Sequence, residues 1–122
     1  MIVIDASVVL EILERSDIGV ELKNAVEGLM LDAPHMIDIE VAHVLRRWAR
    51  IGKMTEREAE GALAVFLGMP IRRHPHQQLL PDIWSLRHNL TAYDAAYLAL
   101  ARHLDAELLT MDEGLKKRSK RR

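Results

Sequence analysis

The sequence predicts an α/β fold: a short, mostly parallel sheet flanked by helices on both faces. Three observations predict it. Short β-branched or apolar runs, such as "IVI" and "ELLTM", alternate with longer stretches of helical periodicity. The chain is 49% hydrophobic and 29% charged, enough for a core and a solvated surface. Its 122 residues are the length of one ordinary domain, with no internal repeat or linker.

The elements follow in order. Ile2 to Ile4 reads as a buried strand. "SVVLEILE" reads as a helix that Ser7 can cap. "GVELKNAVEGL" is a second helix ending near Gly28, and "MLDAP" is a short strand or a turn. "HMIDIEVAHVLRRWARIG" is the clearest helix: Ile37, Val41, Val44, Leu45 and Trp48 recur at helical spacing, and Gly52 offers a stop. "TEREAEGALAVFLG" follows, with Thr55 and Glu58 spaced as a capping box. "PIRRHP" contains a short strand beginning after Pro70. "QQLLPDIWSLRHNL" is a weaker segment that Pro81 interrupts. "TAYDAAYLALARHLD" is helix, "AELLTMD" is strand, and "EGLKKRSKRR" is helical at first and then frayed.

The bulk numbers exclude several classes. Net charge is −1, so no global basic field advertises nucleic acid, and such binding must come from a local patch. Without cysteine there is no disulfide scaffold, thiolate zinc site or thiol nucleophile. "MIVID" meets an acid too early for a secretory signal, and no apolar run approaches the roughly 18–20 residues of a membrane span. A soluble, cytoplasmic protein is expected. The composition shifts only at the basic tail from about 115, where Lys116, Lys117, Arg118, Lys120, Arg121 and Arg122 form either a solvated mobile end or a phosphate-attracting arm.

Four acids stand in unusual places. Asp5 directly follows "IVI" and Asp112 directly follows "ELLTM". Each either caps the next helix or stands at the carboxyl rim of the sheet, where open parallel sheets bind ligands. Glu40 lies inside a helix, three residues after Ile37 and four before Val44, so it shares a face with core residues or edges that face. Asp94 has the capping-box spacing from Thr91, yet it opens a helix apolar on every side. If the four converge, each pair some 5 Å apart repels by roughly 3 kcal/mol at an effective dielectric of about 20. Such a cluster must hold protons, recruit Arg or Lys, or bind a hard cation such as Mg²⁺ or Mn²⁺.

These residues resemble those of the PIN-domain ribonucleases, in particular the VapC toxins of prokaryotic toxin–antitoxin modules. The resemblance spans nearly the whole chain, through "MIVIDASVVLEIL", "IDIEVAHVLRR", "LTAYDAAYLALA" and "ELLTMD". It implies a PIN-like three-layer sandwich with an acidic pocket that binds Mg²⁺ or Mn²⁺. Its catalytic acids fall on Asp5, Glu40, Asp94 and Asp112, with Asp5, Asp94 and Asp112 as metal ligands. Ser7 and Thr110 match hydroxyls that orient carboxylates or water. The implied activity is metal-dependent endoribonucleolytic cleavage. The implied partners are RNA, a VapB-type antitoxin and a second copy of the chain in a homodimer. Relatives usually continue past the fourth acid, through another helix, into a last strand; here the fourth acid is followed by the basic tail, and the resemblance leaves the edge of the sheet open at that point.

Arg46, Arg47, Arg50 and Lys53 form a candidate grip on the RNA backbone, or simply a solvated helix face. Trp48 reads as core. "HPH" (His74 to His76) reads as a loop without an acid in register, and His43 and His103 as surface or boundary residues. Three rival readings stand beside the nuclease. A phospho-accepting receiver-like domain shares the acidic rim but carries an adjacent acid pair where Asp5 is alone. A helix-turn-helix over residues 40–63 would turn the glutamates of "TEREAE" toward phosphates. A catalytically inactive PIN-type RNA- or protein-binding module keeps the fold and loses the chemistry.

Overall fold

The computed structural model describes residues 1–120, so Arg121 and Arg122 of the basic tail lie outside the described residues. Four parallel strands form one sheet in the order β3-β2-β1-β4: β1 (Ile2–Ile4), β2 (Leu31–Pro34), β3 (Ile71–His74) and β4 (Glu107–Leu109). Between β1 and β2 lie α1 (Ala6–Glu14) and α2 (Asp17–Val26). Between β2 and β3 lie α3 (Ile37–Arg50) and α4 (Glu56–Leu67). A single 3₁₀ turn (Gln77–Leu79), α5 (Leu80–Ser85) and α6 (Ala92–Leu104) lead into β4, and α7 (Glu113–Ser119) follows it.

Parallel strands require crossovers, and right-handed crossovers decide the layers. The first two connections step outward from β1 and place α1 to α4 on one face. The third travels back past β2 and β1 and places α6 on the other. Accordingly α6 lies across β1, β2 and β4, while α1 packs on α2, α3 and α4. Arg73 of β3 points to the second group, reaching Asp38 of α3 and lying 5.2 Å from the Phe66 ring of α4. This is the predicted three-layer sandwich.

Local chemistry sets the boundaries. Asp5, not Ser7, caps α1, and its carboxylate accepts from the Val8 amide at 3.2 Å. Ser7 lies inside the first turn. Ser16 caps α2, which therefore starts before Gly19. The α1–α2 approach is so close that a Cβ on Gly19 would lie 2.1 Å from the Glu11 carbonyl oxygen. The predicted capping box at Thr55 and Glu58 is present in both directions, at 2.9 and 3.0 Å. Pro81 does not interrupt a helix; it sits in the first turn of α5, where a missing N–H costs nothing. "MLDAP" is a strand, and Trp48 is core.

The seven residues from Ala95 to Leu98 and on through Ala101 are all buried, so α6 is the central helix of its face. Strand β4 is shorter than predicted. Thr110 and Met111 leave the ladder, and Asp112 caps α7 by accepting from the Leu115 amide at 2.8 Å. The start of the basic tail is thus an ordered helix, anchored by the buried Leu115. No fifth strand occurs among the described residues.

Candidate active site at the carboxyl ends of β1 and β4

The register pairs Ile4 with Leu109, so the segments leaving β1 and β4 emerge side by side. Two hydroxyls join them. Ser7 Oγ donates to Asp5 Oδ1 at 2.6 Å and accepts from the Met111 amide at 3.0 Å. Thr110 Oγ1 donates to Asp5 Oδ2 and accepts from the Asp112 amide at 3.0 Å. Asp5, only 5% exposed, therefore has both oxygens oriented by partners that also hold the opposite segment.

The other two acids come from helices on opposite faces. Glu40 lies in the first turns of α3 and is half-buried. Its Oε1 accepts from the Tyr97 hydroxyl at 2.7 Å, a bond between the two helical layers. Asp94 is in the first turn of α6. Thr91 Oγ1 accepts from its amide at 3.1 Å, one half of a capping box. The reciprocal bond is not made, and the Asp94 carboxylate accepts no hydrogen bond among the described residues.

Electrostatics shows that the four share one region. Burial holds the Asp5 carboxyl above the usual range, against the lowering effect of its hydrogen bonds from Ser7, Thr110 and Val8. Glu40 is raised by burial and by the charges of Asp5 and Asp94, which outweigh the Tyr97 hydrogen bond. Asp94 is raised by burial and by the charges of Asp112 and Asp5. None of the four has a cationic partner among the described residues. Nor do any three acid or imidazole groups among those residues already close on one point as a finished ligand set. The donor set is all oxygen, negatively charged and uncompensated. It fits a hard cation that keeps several of its waters, and it does not fit a soft or fully enclosed metal.

Tyr97 escapes sequence reasoning because it sits in an apolar helix and looks like core. The available signal is its hydroxyl, which must find a partner when buried. A second polar cluster lies apart from the four acids, on the α6-side face of β2 and β3. Asp32 is fully buried. It accepts from Arg72 Nε and Nη2 at 3.0 and 3.2 Å and contacts His74 Nε2 at 2.7 Å. Burial acts to raise the Asp32 pKa, but the hydrogen bonds and charges of Arg72 and His74 win and lower it. His74 is therefore a strand residue with an acid in register, contrary to the loop predicted for it.

Of the predicted basic grip, Arg46, Arg47 and Arg50 are exposed on α3, about 9–15 Å along the helix from Glu40. Lys53 lies beyond α3. Its ammonium is committed to Glu14 at 2.6 Å and to the Trp48 ring at 4.4 Å, so it does not belong to the grip. His43 and His103 are exposed, as expected. At the opposite end of α1 from Asp5, a groove of about 960 Å³ opens between α2 and α4, with Leu13, Val26 and Ala62 in its walls.

The PIN domain family matches residues 2–121. The chain is 38% identical over 115 residues to Ribonuclease VapC1 of Mycobacterium tuberculosis, covering 93% of this chain and 86% of that one. It is 31% identical over 121 residues to Ribonuclease VapC3 of Pyrobaculum aerophilum, covering 93% and 91%. Among solved structures, the fold is similar to M. tuberculosis VapC20, described as a sarcin-ricin loop cleaving toxin. That match has a TM-score of 0.71 and 18% identity over 97% of this chain and 95% of the other. A protein of P. aerophilum gives the same TM-score at 24% identity, over 98% and 79%.

Proposed function

The chain belongs to the PIN-domain family, and on that premise we propose that it is a metal-dependent endoribonuclease, the toxin of a VapBC-type toxin–antitoxin pair. The observation that carries this reading is the set of four uncompensated carboxylates around Asp5, three of them held above their ordinary pKa range. Its relatives are named ribonucleases. The receiver-like and helix-turn-helix alternatives fall with the family match.

Asp5, Asp94 and Asp112 would hold Mg²⁺ or Mn²⁺, directly or through water. The bound ion supplies a lowered pKa for the attacking water and neutralisation of charge on the leaving oxygen. The protein supplies orientation. Ser7 and Thr110 fix both oxygens of Asp5, which settles where its lone pairs point. Tyr97 holds Glu40 by Oε1, leaving Oε2 to position the water or take its proton. Glu40 suits that task because it is half-buried and held at one oxygen by the Tyr97 hydroxyl.

RNA is the substrate, with Arg46, Arg47 and Arg50 as the phosphate grip. The groove between α2 and α4 is where the apolar face of a VapB-type antitoxin helix would lie, and a homodimer is the working assembly. No helix among the described residues is long and apolar enough to cross a membrane, and the cytoplasm is the proposed location. Asp5→Asn removes charge at nearly constant shape and keeps the helix cap, since Asn caps as well as Asp. Purified wild type is expected to cut RNA in Mg²⁺ and to stop in EDTA, while folded Asp5→Asn is silent. Cleavage that persists in EDTA or in Asp5→Asn overturns the reading.

A further inference from the structure

Two large apolar side chains next to the acidic site have no place in the core. Tyr93 is 64% exposed and directly precedes Asp94; Ile39 is 74% exposed and directly precedes Glu40. Helix geometry says where Tyr93 stands. Residues four apart share a helix face, and Cβ atoms tilt toward the helix N-terminus. Tyr93 is therefore one turn ahead of Tyr97, on the side of α6 whose buried hydroxyl reaches Glu40. It stands at the end of α6 that carries Asp94. Ile39 offers a second apolar surface beside Glu40. The Tyr93 ring has no hydrogen-bond, ring-stacking or cation partner among the described residues. Most of the Tyr93 side chain faces solvent. It matches the surface on which a flat, apolar-faced group lies.

Resting on the ribonuclease reading, we infer that Tyr93 is a stacking platform for one unpaired base adjacent to the scissile phosphate. Stacking on an aromatic ring needs an exposed base face, and a base paired within an A-form duplex has none. A base lying on Tyr93 is therefore an unpaired one. Because every base has a π-face, Tyr93 contributes affinity and register more than sequence choice. The phenol hydroxyl is not needed, so Phe and Trp serve equally at this position.

The test measures RNA binding in the Asp5→Asn background, where the RNA stays intact, and cleavage in the background with Asp5 present. The probe is a short mixed-sequence single strand, together with copies carrying one abasic nucleotide at each position in turn and the matching duplex. Tyr93→Ala is expected to weaken binding roughly five- to hundredfold, the span of one base–aromatic stack, while Tyr93→Phe and Tyr93→Trp bind normally. One abasic position should reproduce the loss, and combining it with Tyr93→Ala should cost nothing further. The duplex should bind at the weakened level with or without Tyr93→Ala. Unchanged binding by Tyr93→Ala, or losses that multiply when combined, overturn the platform. If the protein cuts RNA but Tyr93→Ala is silent, the platform fails and the nuclease stands. If it cuts nothing but the binding pattern holds, the nuclease reading fails, the position beside a scissile phosphate falls with it, and the stacking of an unpaired base on Tyr93 stands.

Discussion

Tyr97→Phe removes one oxygen atom from the buried side of the site and nothing else. The phenol of Tyr97 is 1% exposed, so no water replaces it, and its bond to Glu40 Oε1 is short at 2.7 Å. A hydrogen bond to a charged group contributes about 1.5–3 kcal/mol. At about 1.4 kcal/mol per tenfold in rate, losing it from the reacting state slows cleavage roughly ten- to hundredfold. The fold should lose little, because half-buried Glu40 can turn to solvent: about 1 kcal/mol, or a few degrees in Tm for a chain of this size. Single-turnover cleavage of a fluorophore-quencher RNA reads the rate, and RNA titration reads binding, which should not change. Glu40→Gln added to Tyr97→Phe should cost less than the product of the two single losses, since both variants break one pair. Wild-type rate in Tyr97→Phe, or fully multiplicative losses, would refute the positioning role of Tyr97.

Two further outcomes follow from the charges. Asp5, Glu40 and Asp94 all lie above their ordinary values of 3.8, 4.5 and 3.8. The folded chain thus binds more protons than the unfolded one from those values upward, and stability falls as pH rises through the folded pKa values. Urea midpoints in EDTA should decline with pH above about 4.5, less steeply in Asp5→Asn, and excess Mg²⁺ should flatten the decline; a midpoint that climbs in this window contradicts the electrostatics. Asp32 has the opposite sign: its lowered pKa contributes stability above 3.8 that is lost as pH falls through the folded value. Arg72→Ala strands that buried carboxylate and should cost about 2 kcal/mol near neutral pH, below the usual 3–5 because Arg72 is half-exposed and His74 remains. Adding Asp32→Asn should restore part of the loss, and simple additivity would speak against the pair.

The four acids stand out in the sequence because each ends or interrupts an apolar pattern. That Asp5 and Asp112 leave the sheet side by side follows once the strands are taken as parallel, since β1 and β4 then end at the same rim. The capping alternative for Asp5 and Asp112 is met by the structure: Asp5 caps α1 and Asp112 caps α7. Asp32 gave less away. Its "LDAP" is four residues of fully buried strand, too short for a periodicity to single out one acid. Its partners Arg72 and His74 are 40 and 42 residues distant, and only the β2–β3 register brings them together. Asp5 takes the cap from Ser7 because the helix begins two residues earlier than a cap at Ser7 requires. Pro81 starts α5 and does not break it, and a proline in either role looks alike in a sequence without the helix boundary.

The central claim is that residues far apart in the chain, Asp5, Asp94 and Asp112, make one cation site. Crystals soaked in Mn²⁺ and measured at its absorption edge test this most directly. An anomalous peak is expected among these three carboxylates, with waters completing the shell, and its loss is expected in Asp5→Asn. No peak there, or a peak held by other residues, would contradict it.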